Sequence, residues 1–160
     1  MNNISSRTEY GIRALVEIAS AAPPDAIALR PIKRSAISER QGIPLPFLTQ
    51  ILQSLLSHQL ITSARGRFGG YVLARPAQDI TVLEVIDALQ GPQSPRPCVD
   101  SSHDSPCKLA TSCQLVPMWA ELKKANESVL ASYTIADLLE REPCAELNEE
   151  ANRFAEIVKG

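Results

Sequence analysis

The stretch SAISERQGIPLPFLTQILQSLL, Ser35 to Leu56, decides the fold. Ser35 to Gln41 reads as a short helix with Ala36 and Ile37 inward, stopped by Gly42. Ile43-Pro44-Leu45-Pro46 makes a stiff turn, because each proline pushes the residue before it away from helical geometry. Phe47, Leu48, Ile51, Leu52, Leu55 and Leu56 then fall on one stripe of a second helix, with Thr49, Gln50, Gln53 and Ser54 on the other side. Helix, tight turn and an amphipathic helix opening on uncharged polar groups form a helix-turn-helix pattern.

Working outward, Leu60-Ile61-Thr62-Ser63-Ala64 reads as a strand and Tyr71-Val72-Leu73-Ala74 as its return. Arg65-Gly66-Arg67-Phe68-Gly69-Gly70 is the loop between them. A hairpin with arginines at its tip directly after a helix-turn-helix is a wing. The predicted fold class is therefore mainly α, a winged helix-turn-helix domain followed by a long helix. Upstream, Ser6-Arg7-Thr8-Glu9 has the capping-box pattern, with Ser6 as cap and Glu9 reaching back to it, and opens a helix bearing Tyr10, Ala14, Leu15 and Ile18 on one face. Residues 22–31 are proline-rich and read as a loop. Downstream, Thr81 to Leu89 is an amphipathic helix ended by Gly91. A long helix from about Cys113 to Ser132 carries Leu115, Trp119, Leu122 and Val129 close to a heptad seam. Thr134 caps a last short helix with Ile135, Leu138 and Leu139 inward.

This divides the chain into 1–90, a winged-helix domain; 91–112, a cysteine-bearing loop; 113–141, the long helix and the short one after it; and 142–160, an acidic tail. A loop as long as 91–112 is unusual in a compact domain and implies a function or disorder.

The composition, 44% hydrophobic with 4% aromatic and 21% charged residues over 160 positions, fits one helical domain with an arm and excludes wholesale disorder. Neither a membrane-spanning apolar run nor a secretory signal is visible, so a cytoplasmic protein without membrane association is expected. The formal net charge of −2 is unevenly spread: residues 1–80 balance at +4 and residues 81–160 at −6. A basic half facing a polyanion would account for that split, and chance in a short chain is the plainer alternative. No nucleophile–base constellation and no phosphate-cradling glycine loop before a helix is present, which argues against an enzyme.

For double-stranded DNA, Thr49 and Gln50 stand where a recognition helix meets base edges, and glutamine suits adenine. Pro44 and Pro46 fix the turn, beside hydroxyl and amide groups suited to phosphate. Arg65 and Arg67 at the wing tip match the minor groove, where a narrow A·T tract attracts arginine. Gln50 as a solvated helix face, and the arginines as a solvated hairpin, are the plainer alternatives.

The cysteines carry the rest of the chemistry. Cys98, Cys107 and Cys113 lie within sixteen residues as C-x8-C-x5-C on a polar loop, a poor place to bury inert thiols. Thiolates select zinc, copper(I) or iron–sulfur clusters. At the start of the long helix, Cys113 would have its thiolate favoured by the N-terminal dipole. A zinc site completed by His103, an oxidisable thiol switch, and a plain reduced loop remain open from the residues alone.

The segment Ile37–Ile43, the helix with Leu48 and Gln50, the wing Arg65–Tyr71, the Cys-bearing loop and Trp119 on a long helix together resemble the Rrf2 family of winged-helix transcription regulators. Members of that family include the iron–sulfur cluster regulator IscR and the nitric-oxide-sensitive repressor NsrR. The resemblance runs from about Ser5 to Leu139 and omits the tail. It implies that the long helix pairs two subunits into a homodimer, that the dimer binds a pseudo-palindromic operator, and that Cys98, Cys107 and Cys113 hold an iron–sulfur cluster, 2Fe–2S favoured over 4Fe–4S. The histidine that serves as fourth ligand in IscR-like members falls here on Val116, which cannot ligate. Other members use a carboxylate near the start of the first helix, supplied by the partner subunit, and that position is Glu9; the capping box competes for it, with His103 and Cys144 in reserve. The family also contains cluster-free regulators that act through a protein partner. From a different class, the rival is a zinc-stabilised interaction module.

Overall fold

The computed structural model describes residues 4–21, 30–66, 69–91, 94, 96–99, 109 and 112–140. In chain order these form α1 (Ser6–Ser20), α2 (Arg34–Gln41), α3 (Leu45–Ser57), β1 (Ile61–Ala64), β2 (Gly70–Leu73), a 3-10 turn at Ala77–Asp79, α4 (Val82–Gln90), a second 3-10 turn at Pro97–Val99, α5 (Val116–Ser132) and α6 (Ile135–Glu140). The helix-turn-helix follows the local chemistry. Gly42 ends α2 at φ 63°, a left-handed conformation that glycine adopts without a Cβ penalty. Pro46 lies in the first turn of α3, where a missing N–H costs nothing. Leu48, Ile51, Leu52 and Leu55 are buried, and Phe47 and Leu56 pack partly buried against the same core, as the stripe predicts.

That core is shared by Leu15 and Ile18 of α1, Ile37 of α2, Ile61 of β1, Val85 of α4 and Ile135 of α6. β1 and β2 pair antiparallel, Ile61 opposite Leu73 through Ala64 opposite Gly70. A third segment adds to this hairpin: Ile32 donates its N–H to Tyr71 O at 3.0 Å and accepts from Tyr71 N at 2.9 Å. Residue 32 follows directly on the predicted loop, and nothing local in the sequence marks it as a strand partner.

Several boundaries differ from expectation. The cap of α1 is Ser5, not Ser6: its side chain accepts from the Thr8 N–H. The helix therefore begins with Ser6, Thr8 takes the third helical position, and Glu9 lies one residue beyond reach of the cap. The cap shifts because Thr8 is itself held from outside; its hydroxyl, fully buried, donates to Gln90 Oε1. The capping boxes that do form are Thr81–Glu84 at α4 and Thr134–Asp137 ahead of α6. α5 starts at Val116 rather than Cys113, with Pro117 in its first turn. Leu139 is 37% exposed and faces out, whereas Ile135 is fully buried. After α5 the chain returns: Val82 N–H donates to Tyr133 O and Ile135 N–H to Ile80 O, which docks α6 beside α1 and the first 3-10 turn. Among the described residues no helix is long and apolar enough to cross a membrane.

Candidate nucleic-acid interface and cysteine loop

The exposed side of α3 carries Pro46, Gln50, Gln53 and Ser57. Thr49 is half-buried, and its hydroxyl donates to Leu45 O at 2.7 Å while accepting from Arg34 Nη1 at 3.1 Å. α3 is held against α1 by Arg7, whose Nη2 donates to Ser54 Oγ at 2.7 Å, and by an edge-on pair of Tyr10 and Phe47 at 5.8 Å. α2 is anchored by Glu17, a buried carboxylate. It accepts from Arg40 Nη1 at 2.8 Å and Gln41 Nε2 at 2.7 Å, so its charge is compensated. The first helix thus sets the angle at which the recognition helix is presented.

Arg65 is exposed at the end of β1; Arg67 lies outside the described residues. The glycines behind the tip are needed for close approach. A Cβ on Gly70 would meet the Ile32 carbonyl, and one on Gly69 would lie 2.5 Å from Ala64 O.

The cysteine loop is fixed where it is described. Cys98 lies in the 3-10 turn Pro97–Val99, half-buried and free. Its neighbour Arg96 stacks on Trp119 of α5, guanidinium to ring centroid 5.6 Å, and the Arg96 carbonyl accepts from Ser94 Oγ and Val99 N–H. Cys113 is also half-buried and free, three residues ahead of α5; its carbonyl accepts from Val116 N–H. It therefore lies ahead of the first turn of α5 and not within it. Cys107, His103 and Cys144 lie outside the described residues. Among the described residues no three potential ligands come together. Glu9 is 63% exposed and pairs at 3.8 Å with Arg13, one turn along. The loop begins from α4, whose last residue Gln90 accepts from Ser5 N–H at 3.2 Å, Ser5 Oγ at 2.9 Å and the Thr8 hydroxyl. Loop base and first helix are thereby tied.

Set beside known proteins, residues 4–141 match the model of the Rrf2 family, described as an iron-dependent transcriptional regulator. The chain belongs to the Rrf2 family. It is 35% identical over 135 residues to a Mycobacterium tuberculosis protein named as an HTH-type transcriptional regulator, covering 84% of this chain and 80% of that one. Among solved structures it is similar to CymR, the global cysteine regulator of B. subtilis, with a TM-score of 0.70, 28% identity and coverage of 89% of this chain and all of that one. It is also similar to T. potens IscR, with a TM-score of 0.64, 31% identity and coverage of 86% of each. The Rrf2 assignment, with the helical body and the two-stranded wing, makes this chain a winged-helix transcriptional regulator.

The sequence reading missed Arg34, Arg7, Gln90 and Arg96. Each acts through a partner far along the chain, so no local pattern in the sequence marks it.

Proposed function

We propose that this Rrf2 regulator acts in the cytoplasm as a homodimer on a pseudo-palindromic operator, and that an iron–sulfur cluster held by Cys98, Cys107 and Cys113 governs that binding. The donor set fits such a group: soft thiolates on a polar loop, two of them free and half-buried at either end of it. Glu9 is the fourth ligand, supplied by the partner subunit. The observation that carries this assignment is its release from the helix cap, which leaves only a long, exposed ion pair worth little. An oxygen ligand beside three thiolates makes the group labile, which suits a sensor of redox state, nitric oxide or cluster supply; we favour 2Fe–2S. Pro46 and Gln50 of α3 face the major groove, and Arg65 and Arg67 enter the minor groove from the wing.

Anaerobic purification followed by visible absorbance and iron, sulfide and zinc analysis tests the cluster. A coloured protein with matched iron and sulfide, lost in Cys107→Ala and made labile in Glu9→Ala, is expected. A colourless, metal-free protein that resists reconstitution points to the second reading, a cluster-free regulator acting through a protein partner or thiol switch. The likeness to CymR, a global cysteine regulator, supports that alternative.

A further inference from the structure

α3 has no charged residue anywhere from Leu45 to Ser57. A groove lined by phosphates and base edges would meet proline, threonine and glutamines on this helix, and no cation. Two cations reach it from other helices, Arg7 of α1 at the half-buried Ser54 and Arg34 of α2 at Thr49, beside the exposed face. Arg34, the first residue of α2, is exposed, and its guanidinium reaches α3 to donate from Nη1 to Thr49 Oγ1 at 3.1 Å. Thr49 spends its own proton on Leu45 O at 2.7 Å, so its oxygen is turned by the helix into a fixed acceptor. It is one residue from Gln50 and one turn from Pro46, the side chains of the exposed face.

The bracket uses one of five guanidinium N–H groups and leaves four in a rigid planar fork. Phosphate binding needs only the charge, which an unbracketed lysine such as the adjacent, exposed Lys33 supplies as well. An oriented fork at the edge of a groove-facing helix is what bidentate recognition of guanine O6 and N7 requires. We propose that Arg34 is a specificity-determining residue that reads one guanine in each operator half-site, with Thr49 as its positioning residue. This rests on α3 being the major-groove helix. It also reassigns Thr49, whose hydroxyl holds the reader instead of touching the base.

The test is selection of bound sequences from a randomised operator library by the full-length protein, purified anaerobically, with R34A, R34K, T49A and R65A alongside. The wild type is expected to enrich a guanine at one position of each half-site. R34A loses that preference at that base pair alone, a change of about 5- to 150-fold in discrimination, while the rest of the motif persists. R34K keeps the charge yet loses the same preference, and T49A weakens it. Thermal melts of R34A and T49A within a few degrees of wild type exclude a folding cause, since the hydrogen bond lies on the exposed surface. Equal weakening of all sequences by R34A, with a salt dependence reduced by about one counterion, would make Arg34 a phosphate contact and overturn the proposal. An R34A motif identical to wild type overturns it too. If wild type and R65A alike enrich no sequence, the major-groove reading itself fails, an outcome distinct from the loss of one base preference.

Discussion

Gln59 sits at φ 56°, the left-handed region in which a Cβ meets the following carbonyl. The chain accepts this because the end of α3 needs it. Leu60 N–H returns to Leu55 O at 3.0 Å and Gln59 N–H to Leu56 O at 3.1 Å, a Schellman ending with glutamine where glycine is usual. Gln59→Gly should therefore stabilise the protein by about 1 kcal/mol, raising the melting temperature by roughly 2–4 °C. A melt unchanged or lowered would show that the strain is absorbed elsewhere. Asp87, on α4, is held in the opposite kind of tension. Burial pushes its carboxyl pKa up, the Glu127 carboxylate adds to the rise and Lys123 works against it, while Oδ1 is buried without a partner. A raised folded-state pKa means stability that is complete below the ordinary carboxylate range and lost as pH rises through the folded value. Asp87→Asn should abolish that loss, so the variant gains on wild type in urea denaturation at about pH 7 relative to about pH 4. Glu84, one turn away, runs the other way. Burial opposes its ionisation, but hydrogen bonds from Arg75 and the Thr81 N–H hold its pKa down, so its contribution is lost on acidification. The single substitution at Asp87 separates the two.

At the scale of elements, the wing depends on a contact made thirty-nine residues away in sequence, Ile32 against Tyr71. Gly70 makes the approach possible, because any Cβ there runs into the Ile32 carbonyl. Gly70→Ala should cost about 1–3 kcal/mol and break this bridge while sparing the helices. Hydrogen exchange should then quicken at the Ile32 and Tyr71 amides and stay slow in α1 and α3. Uniform acceleration throughout would mean that the bridge and the core open together. The same logic explains the role of α1. It is bound to α3 by Arg7–Ser54, to α2 by Glu17, and to the base of the cysteine loop by Gln90, so one helix anchors all three.

For the whole molecule, the salient feature is that α5 has no buried residue. Leu115, Met118, Leu122 and Val129 stand 54%, 49%, 38% and 57% exposed, and the spacing of seven between Leu115, Leu122 and Val129 puts them on one stripe. An apolar stripe of this kind on a helix that packs along α4 and the Cys98 turn fits a second copy of the same helix. Val129→Glu, far from the winged-helix core, should shift sedimentation from dimer to monomer and lower operator affinity at least tenfold, because two half-sites are no longer bound together. A wild-type protein sedimenting as a single chain would refute the pairing.

What the sequence by itself determined is the set of elements whose cause is local. The α2–turn–α3 unit, the hairpin and the amphipathic face of α4 follow from apolar period, Gly42, Gly91 and the two prolines. The tertiary structure decided which polar side chain meets which. It moved the α1 cap to Ser5 because Gln90 claims the Thr8 hydroxyl, it left Glu9 free of the cap, it turned Leu139 outward, and it set Arg34 on Thr49. Periodicity reports which face of an element is apolar, but hydrogen-bond partners on the polar faces are chosen by how helices far apart in the chain are docked, and that docking is set by the shape of the common core.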